Sequence, residues 1–296
     1  MIRGRALLTR GNDEGEQAPS LRYVHHIWLS GNRPPKGEAE NTIPIRFAQN
    51  IYSWRIGVPG CILVEWLNVD AFLLVSERNK ASFFYDDLKT PVERSDYLRM
   101  LILHTFGGEY VDVDMEAFQS VVDYFDFSRP VNLLYSPLFS ELFQSCFLVA
   151  HEKNYPFWID VANRIEYNVL AMSKPSHSVS ILMSNPLTRY ITRMAITVFL
   201  TGPATLDKCI AKAHLTNQYV DAFACLSKSL YCGPIAVHHE AGSWTYLSKF
   251  VEFKTRVRML LKFDRFSLIG TLMMMWVTWL IIGVCILACI KHGKIF

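Results

Sequence analysis

The stretch Thr90 to Met115, TPVERSDYLRMLILHTFGGEYVDVDM, contains a helix, its stop and a strand in sequence. Thr90-Pro91-Val92-Glu93 is a capping box: a hydroxyl for the first free N–H groups, Pro at the first helical position and Glu three residues after the cap. Leu98, Leu101, Ile102 and Thr105 recur at i, i+3, i+4 and i+7, so one helix face packs inward. Asp96 and Arg99 stand three apart on a different face. Gly107-Gly108 stops the helix with residues that tolerate positive φ. In the strand that follows, Val111 and Val113 share one side and Asp112 and Asp114 the other. Two carboxylates thus arrive at a strand end beside a helix carrying an Asp and an Arg, the outline of a cation-and-phosphate site.

Two carboxylates about 6–7 Å apart along a strand repel each other. They are best tolerated around a divalent cation, and oxygen ligands suit hard ions such as Mg²⁺ or Mn²⁺. Such an ion also holds a diphosphate and neutralises the charge of a departing phosphate. A lone D-x-D is a weak signal, since solvent-facing acids on a strand give the same pattern. The S-D-x-x-R, the G-G pair and the apolar strand make the combination specific.

Working outward, 296 residues with 51% hydrophobic content suit one α/β domain plus a membrane element. A net charge of +3 and the absence of zinc-finger, RNA-binding or basic-zipper patterns exclude a nucleic-acid partner. Residues 1–20 are polar, lack an apolar core and read as a flexible arm rather than a signal peptide. None of the seven cysteines (61, 146, 209, 225, 232, 285 and 289) forms C-x-x-C. The odd five outside the apolar tail favour a reducing compartment, although Cys225 and Cys232 can pair in an oxidising one.

Tyr23 to Leu29 reads as a strand ended by Ser30-Gly31-Asn32 and Pro34-Pro35. A helix is expected over about 45–55, stopped at Gly57 and Pro59, then a buried strand at Cys61–Trp66. Strand, helix, strand fits a crossover in a mostly parallel sheet, with ligands at the carboxyl ends of the strands. Further strands are expected at Val131–Tyr135 and Cys146–Ala150, and helices at Tyr155–Leu170 and from Pro203 to about Ala213. Gly202 before Pro203 leaves free N–H groups at a helix start.

Ser267 to Ile290 is a run of 24 uncharged residues, long enough to span a bilayer core of about 30 Å. Lys249, Lys254, Arg256, Arg258, Lys262 and Arg265 precede it, and only Lys291 and Lys294 follow. The positive-inside rule then places the N-terminal domain in the cytosol, with the Golgi or ER lumen as the alternative. The expected organisation is an arm at 1–20, a catalytic domain at 21–248, a basic juxtamembrane segment at 249–266, a transmembrane helix at 267–290 and a short tail at 291–296.

SDYLRMLILHTFGGEYVDVDM closely resembles the sugar-binding region of the D-x-D glycosyltransferases. That group includes fungal initiating α-1,6-mannosyltransferases, the catalytic subunits of mannosyl inositolphosphorylceramide synthase and, more distantly, the glucosyltransferase domain of large clostridial toxins. The resemblance extends from Tyr23 to Trp244, with its middle third poorly matched. It implies a GT-A-like nucleotide-diphospho-sugar transferase fold, a mixed, mostly parallel sheet flanked by helices, here with one C-terminal transmembrane helix.

By that resemblance, Trp28 lies against the base, Ser95, Asp96 and Arg99 match the S-D-x-x-R that holds the donor sugar, and Arg99 also suits phosphate. Asp112 contacts ribose or sugar and touches Mn²⁺ or Mg²⁺ through water, whereas Asp114 is the direct ligand. Thr201-Gly202-Pro203 matches the T-G-P segment near the sugar. His238-His239-Glu240-Ala-Gly-Ser243-Trp244 is similar to the C-terminal H-x-x-S-W motif that closes over the diphosphate. His239 is the expected additional metal contact, with His238 and Glu240 as candidates, and Ser243 and Trp244 donate to phosphate oxygens.

The implied activity is metal-dependent, retaining transfer of a hexose, from GDP-mannose first or a UDP-hexose second, to a lipid headgroup hydroxyl. A protein or glycan acceptor and a non-catalytic membrane-anchored binding protein are the alternatives, and a regulatory subunit can meet the transmembrane helix.

Overall fold

The computed structural model describes residues 1–4, 6, 22–29, 42–135, 143–172, 192–193, 196–219, 221–226, 230 and 233–239. Residues 1–174 and 197–239 form one compact unit, and the remainder a second. The first is built on a seven-stranded mixed sheet of order β1-β3-β2-β4-β7-β6-β8. Its strands are β1 (Ile2–Arg3), β2 (Tyr23–Ile27), β3 (Ile62–Trp66), β4 (Gly108–Val111), β6 (Val131–Tyr135), β7 (Phe143–Ala150) and β8 (Phe223–Leu226). β1, β3, β2 and β4 run parallel, β7 runs antiparallel to both β4 and β6, and β8 is parallel to β6. A separate two-stranded antiparallel sheet pairs β5 (Met115–Ala117) with β9 (Ala236–His238).

Alternation along the strands sends side chains to two apolar cores. Ile27 and Tyr110 face helices α3 (Pro91–Phe106), α4 (Pro156–Ala171) and α5 (Pro203–Leu215), together with α2 (Asn68–Glu77). Val24 and Val111 face α1 (Ala48–Gly57) and the small sheet, through Ile51, Trp54, Met115 and Ala117. α1 also holds the chain leaving β4 through a row of hydrogen bonds. Asn50 donates to Val113 O at 3.3 Å, Trp54 Nε1 to Met115 O at 2.9 Å, and Ser53 Oγ accepts from Ala117 N at 2.9 Å.

The capping box forms as its spacing predicts: Thr90 Oγ1 accepts from Glu93 N and the Glu93 carboxylate accepts from Thr90 N, both at 3.2 Å. Leu98, Leu101 and Ile102 are buried, but so are Arg94, Asp96, Tyr97, Arg99, Met100 and Leu103. α3 is enclosed by the sheet and α4, so its polar positions are paired inside rather than solvated. Gly107 and Gly108 take φ of +65° and +86°. A Cβ at Gly108 would stand 2.4 Å from Tyr23 O, so the turn from α3 into β4 has room for glycine alone.

His25 joins this turn to the sheet. Trp66 Nε1 donates to His25 Nδ1 at 3.2 Å, and since a carbonyl only accepts, His25 Nε2 donates to Gly107 O at 3.0 Å. Burial lowers its pKa from the usual 6.5 to about 3. Below pH 6.5 the unfolded chain takes up a proton that folded His25 refuses, so its contribution falls as pH drops from 6.5 towards 3. The stability gap between wild type and His25→Gln is therefore expected to narrow by roughly 2 kcal/mol between pH 7 and pH 5, at 1.36 kcal/mol per pH unit below 6.5. Denaturant titrations of both proteins at the two pH values check this, and the difference cancels the other titrating groups.

Two expectations are corrected. Among the described residues no helix is long and apolar enough to cross a membrane. The longest, α3 and α4, have 16 residues each. That is about 24 Å of helix against a hydrocarbon core of about 30 Å, and α3 carries Glu93, Arg94, Asp96 and Arg99. The fold is thus described as mixed α/β without the expected C-terminal transmembrane helix, and the single-pass membrane localisation with a cytosolic catalytic domain falls with it. The segment 267–290 lies outside the described residues.

Candidate donor-binding and metal site

β2 and β4 run parallel, so Trp28 and Asp112 leave the sheet at the same carboxyl edge. β4 ends at Val111, one residue before the first acid. Asp112 N still bonds Cys146 O at 2.9 Å, but Met115 N then bonds Asp112 O at 3.0 Å and closes a turn. Asp112 and Asp114 therefore stand on a turn rather than at alternate positions of a continuing strand, which brings their oxygens closer than an extended chain allows.

β5 leaves this turn and pairs with β9, placing Met115 opposite His238. His238 Nε2 comes within 3.1 Å of Asp114 Oδ1 and 4.0 Å of Asp112 Oδ2. One ligand atom from each of Asp112, Asp114 and His238 lies within 4.8 Å of the others. Two carboxylate oxygens and an imidazole nitrogen suit Mn²⁺ or Mg²⁺, so the residues present fit a divalent ion.

His239 is not part of this trio. Its backbone N–H bonds Asp114 O at 2.9 Å, and its side chain turns to Glu116 Oε2, also at 2.9 Å. Adjacent residues on a strand face opposite ways, so only one member of the pair can meet the carboxylates. The H-x-x-S-W resemblance pointed to His239, with His238 as a candidate; in the structure it is His238 whose side chain faces the two carboxylates.

Behind the acids lies Arg99, whose side chain is 5% exposed. Its guanidinium meets Asp96 Oδ1 at 3.0 Å and Asp112 Oδ1 at 3.9 Å, donates to Ser95 O and Oγ at 3.3 Å each, and donates to Ser145 O. It also lies 4.4 Å from the Tyr110 ring centroid. Burial opposes its charge, but Tyr110, Asp96 and Asp112 outweigh that and hold it protonated well above the usual range.

Asp96 has its second oxygen occupied by the Thr201 hydroxyl, which donates at 2.8 Å. Burial raises its pKa to about 6, against the lowering pull of Arg99 and Thr201. Burial also raises Asp112, with Arg99 opposing. Tyr110 donates its hydroxyl to Asp112 Oδ1, which leaves Oδ2 towards His238.

Trp28 is half-buried against Phe47, ring centroids 5.5 Å apart. Gly202 caps α5 with its N–H bonded to Thr197 O at 3.0 Å, so that amide is engaged rather than free, and a Cβ there would stand 3.1 Å from Val198 Cα. Ser243 and Trp244 lie outside the described residues.

Tyr110 and Ser145 are the neighbours that the sequence did not place in the site, whereas His238 stood there as a candidate beside His239. For Thr201 a signal existed in the T-G-P segment. For Tyr110 the strand alternation that sets Asp112 also sets Tyr110 on its face. Tyr110→Phe is expected to weaken Mn²⁺ binding by about tenfold, the lower end for loss of a group supporting a metal ligand. Isothermal titration reads this, and unchanged affinity would show that the hydroxyl does not hold Asp112.

Residues 44–132 match the family described as "Glycosyltransferase sugar-binding region containing DXD motif". No curated protein matches the chain. Among solved structures, the ligand-free glycosyltransferase domain of the YGT toxin is 12% identical at a TM-score of 0.48, covering 76% of this chain and 82% of that one. The catalytic domain of alpha-toxin from Clostridium novyi is 9% identical at 0.44, covering 80% and 82%. The PaToxG glycosyltransferase is 14% identical at 0.39, covering 68% and 76%. At TM-scores below 0.5 these likenesses decide nothing further. The matched residues 44–132 include Ser95, Asp96, Arg99, Asp112 and Asp114, so over this stretch the chain carries the DXD sugar-binding region of a glycosyltransferase.

Proposed function

We propose that the chain transfers a hexose from a nucleotide-diphospho-sugar to an acceptor hydroxyl in a metal-dependent, retaining reaction. The observation that carries this is the convergence of Asp112, Asp114 and His238 donor atoms within 4.8 Å at the carboxyl edge of the sheet. A divalent ion bound there supplies positive charge to the departing diphosphate.

The protein's own groups do the rest. Asp114 and His238 present an oxygen and a nitrogen towards the diphosphate position. Tyr110 and Arg99 hold one oxygen of Asp112, so its other oxygen faces the same space. Trp28 offers an indole face to the base. Asp96 and Arg99 orient the sugar hydroxyls, and Thr201 and Ser95 hold those two side chains in one geometry. GDP-mannose is the first donor and UDP-glucose or UDP-galactose the second. No residue is assigned as a general base.

The test is a panel of these three donors, with hydrolysis and direct binding followed with Mn²⁺ and again with chelator. Release or tight binding of one donor, lost on chelation, supports the proposal. Equal behaviour with and without metal overturns the metal dependence. Failure of every donor to bind overturns the donor class.

A further inference from the structure

We infer that Glu116 and His239 form a latch that positions His238 at the proposed cation site, so the adjacent histidines divide two tasks. This rests on the functional reading above and deepens it.

His238 reaches Asp114 from the last residue of a three-residue strand. Its partner strand β5 is itself fixed on α1 by the bonds of Trp54 to Met115 O and of Ala117 N to Ser53, and Asn50 holds Val113 just before it. α1 also packs tightly there, since a Cβ added at Gly57 would stand 2.9 Å from Ala117 Cβ. Glu116 extends this attachment with both of its oxygens. Oε1 accepts from Gln49 Nε2 of α1 at 2.8 Å, and Oε2 meets His239 Nε2 at 2.9 Å. The Glu116 and His239 side chains come from positions 123 residues apart.

The consequence is geometric. In a β-ladder a slip of one residue exchanges the two faces. Were β9 to slip on β5, His239 would turn to the acids and His238 away from them. The Glu116–His239 contact closes only in the observed register, so it selects which histidine faces Asp112 and Asp114. Groups supporting metal ligands change affinity by about 10- to 100-fold when removed. The His239 side chain is 44% exposed. Water weakens such a pair, so the low end of that range is expected.

The test is Mn²⁺ binding to the full chain, read from the free-ion signal in electron paramagnetic resonance, with thermal unfolding in metal-free buffer as the control. Glu116→Ala and His239→Ala are each expected to weaken binding about tenfold while metal-free unfolding stays at the wild-type temperature. The double variant should be no weaker than either single one. His239→Gln, whose amide can still donate to Glu116, should restore most of the affinity. Loss of binding in His239→Ala but not in Glu116→Ala would make His239 a ligand itself and overturn the latch. Costs of the two variants that add in full, or parallel losses in metal-free stability, overturn it as well. His238→Ala separates the two levels: if it too leaves binding unchanged, the metal role of His238 fails and the latch goes with it. If it abolishes binding while both latch variants bind normally, the latch alone fails.

Discussion

Asp114→Asn is expected to lower metal-dependent turnover by about 10³-fold, roughly 4 kcal/mol of transition-state stabilisation at 1.36 kcal/mol per tenfold. Asn keeps the shape of Asp, so the change removes charge with little change in packing. The Asp114 carbonyl still accepts from His239 N, and the turn is still closed by the Met115–Asp112 bond. What is lost is one of two anionic donors in a set of three. Because Asp112 is also held by Tyr110 and Arg99, it cannot swing over to replace the missing contact. Initial rates at saturating donor and increasing Mn²⁺ measure the effect. Wild-type turnover in Asp114→Asn, at the same Mn²⁺ requirement, would remove this carboxylate from the proposed site.

Arg99→Met is expected to destabilise the fold by about 3–5 kcal/mol, the usual cost of taking one partner from a buried ion pair. The side chains of Arg99 and Asp96 are both 5% exposed. Without the guanidinium, Asp96 retains the Thr201 hydroxyl, and Ser145 O loses the donor that Arg99 supplies. Met fills much of the same volume, so the loss reports the charge and its hydrogen bonds rather than a cavity. Adding Asp96→Asn should recover a large share of the stability, since an uncharged amide removes the buried lone charge. Catalysis should not return with it, because both groups proposed to orient the sugar are gone. Urea unfolding of the three proteins beside their transfer rates measures both effects. Full activity in the refolded double variant would reduce the pair to a structural ion pair.

Much of the fold is legible locally. The Thr90–Glu93 box, the periodic leucines of α3 and the two glycines after it each act within a few residues, and their geometry forms as read. The strands and helices around them fall close to the expected bounds, because β-branched runs and Pro at a helix start also act locally. α2 was not anticipated: its N-cap is Leu67, whose N–H is met by Asp70, an acid at the third helical position rather than a conventional cap. The D-x-D carboxylates were expected on an extended strand, and the Met115–Asp112 bond turns the chain instead.

The residue types of the site, an Asp and an Arg one helical turn apart and two acids past a glycine stop, were set by spacing within one stretch of chain. Their solvation was not, because an i, i+3 pair has the same pattern on a surface or in a core. Packing of α3 between the sheet and α4 makes Asp96 and Arg99 a buried, hydrogen-bonded hub. The choice between His238 and His239 lies further still from local sequence. Two adjacent histidines are chemically equal until a ladder gives them opposite faces, and that ladder is formed with residues more than a hundred positions away. Local spacing carries element type and residue chemistry; long-range pairing carries orientation and burial, which assign each group its task.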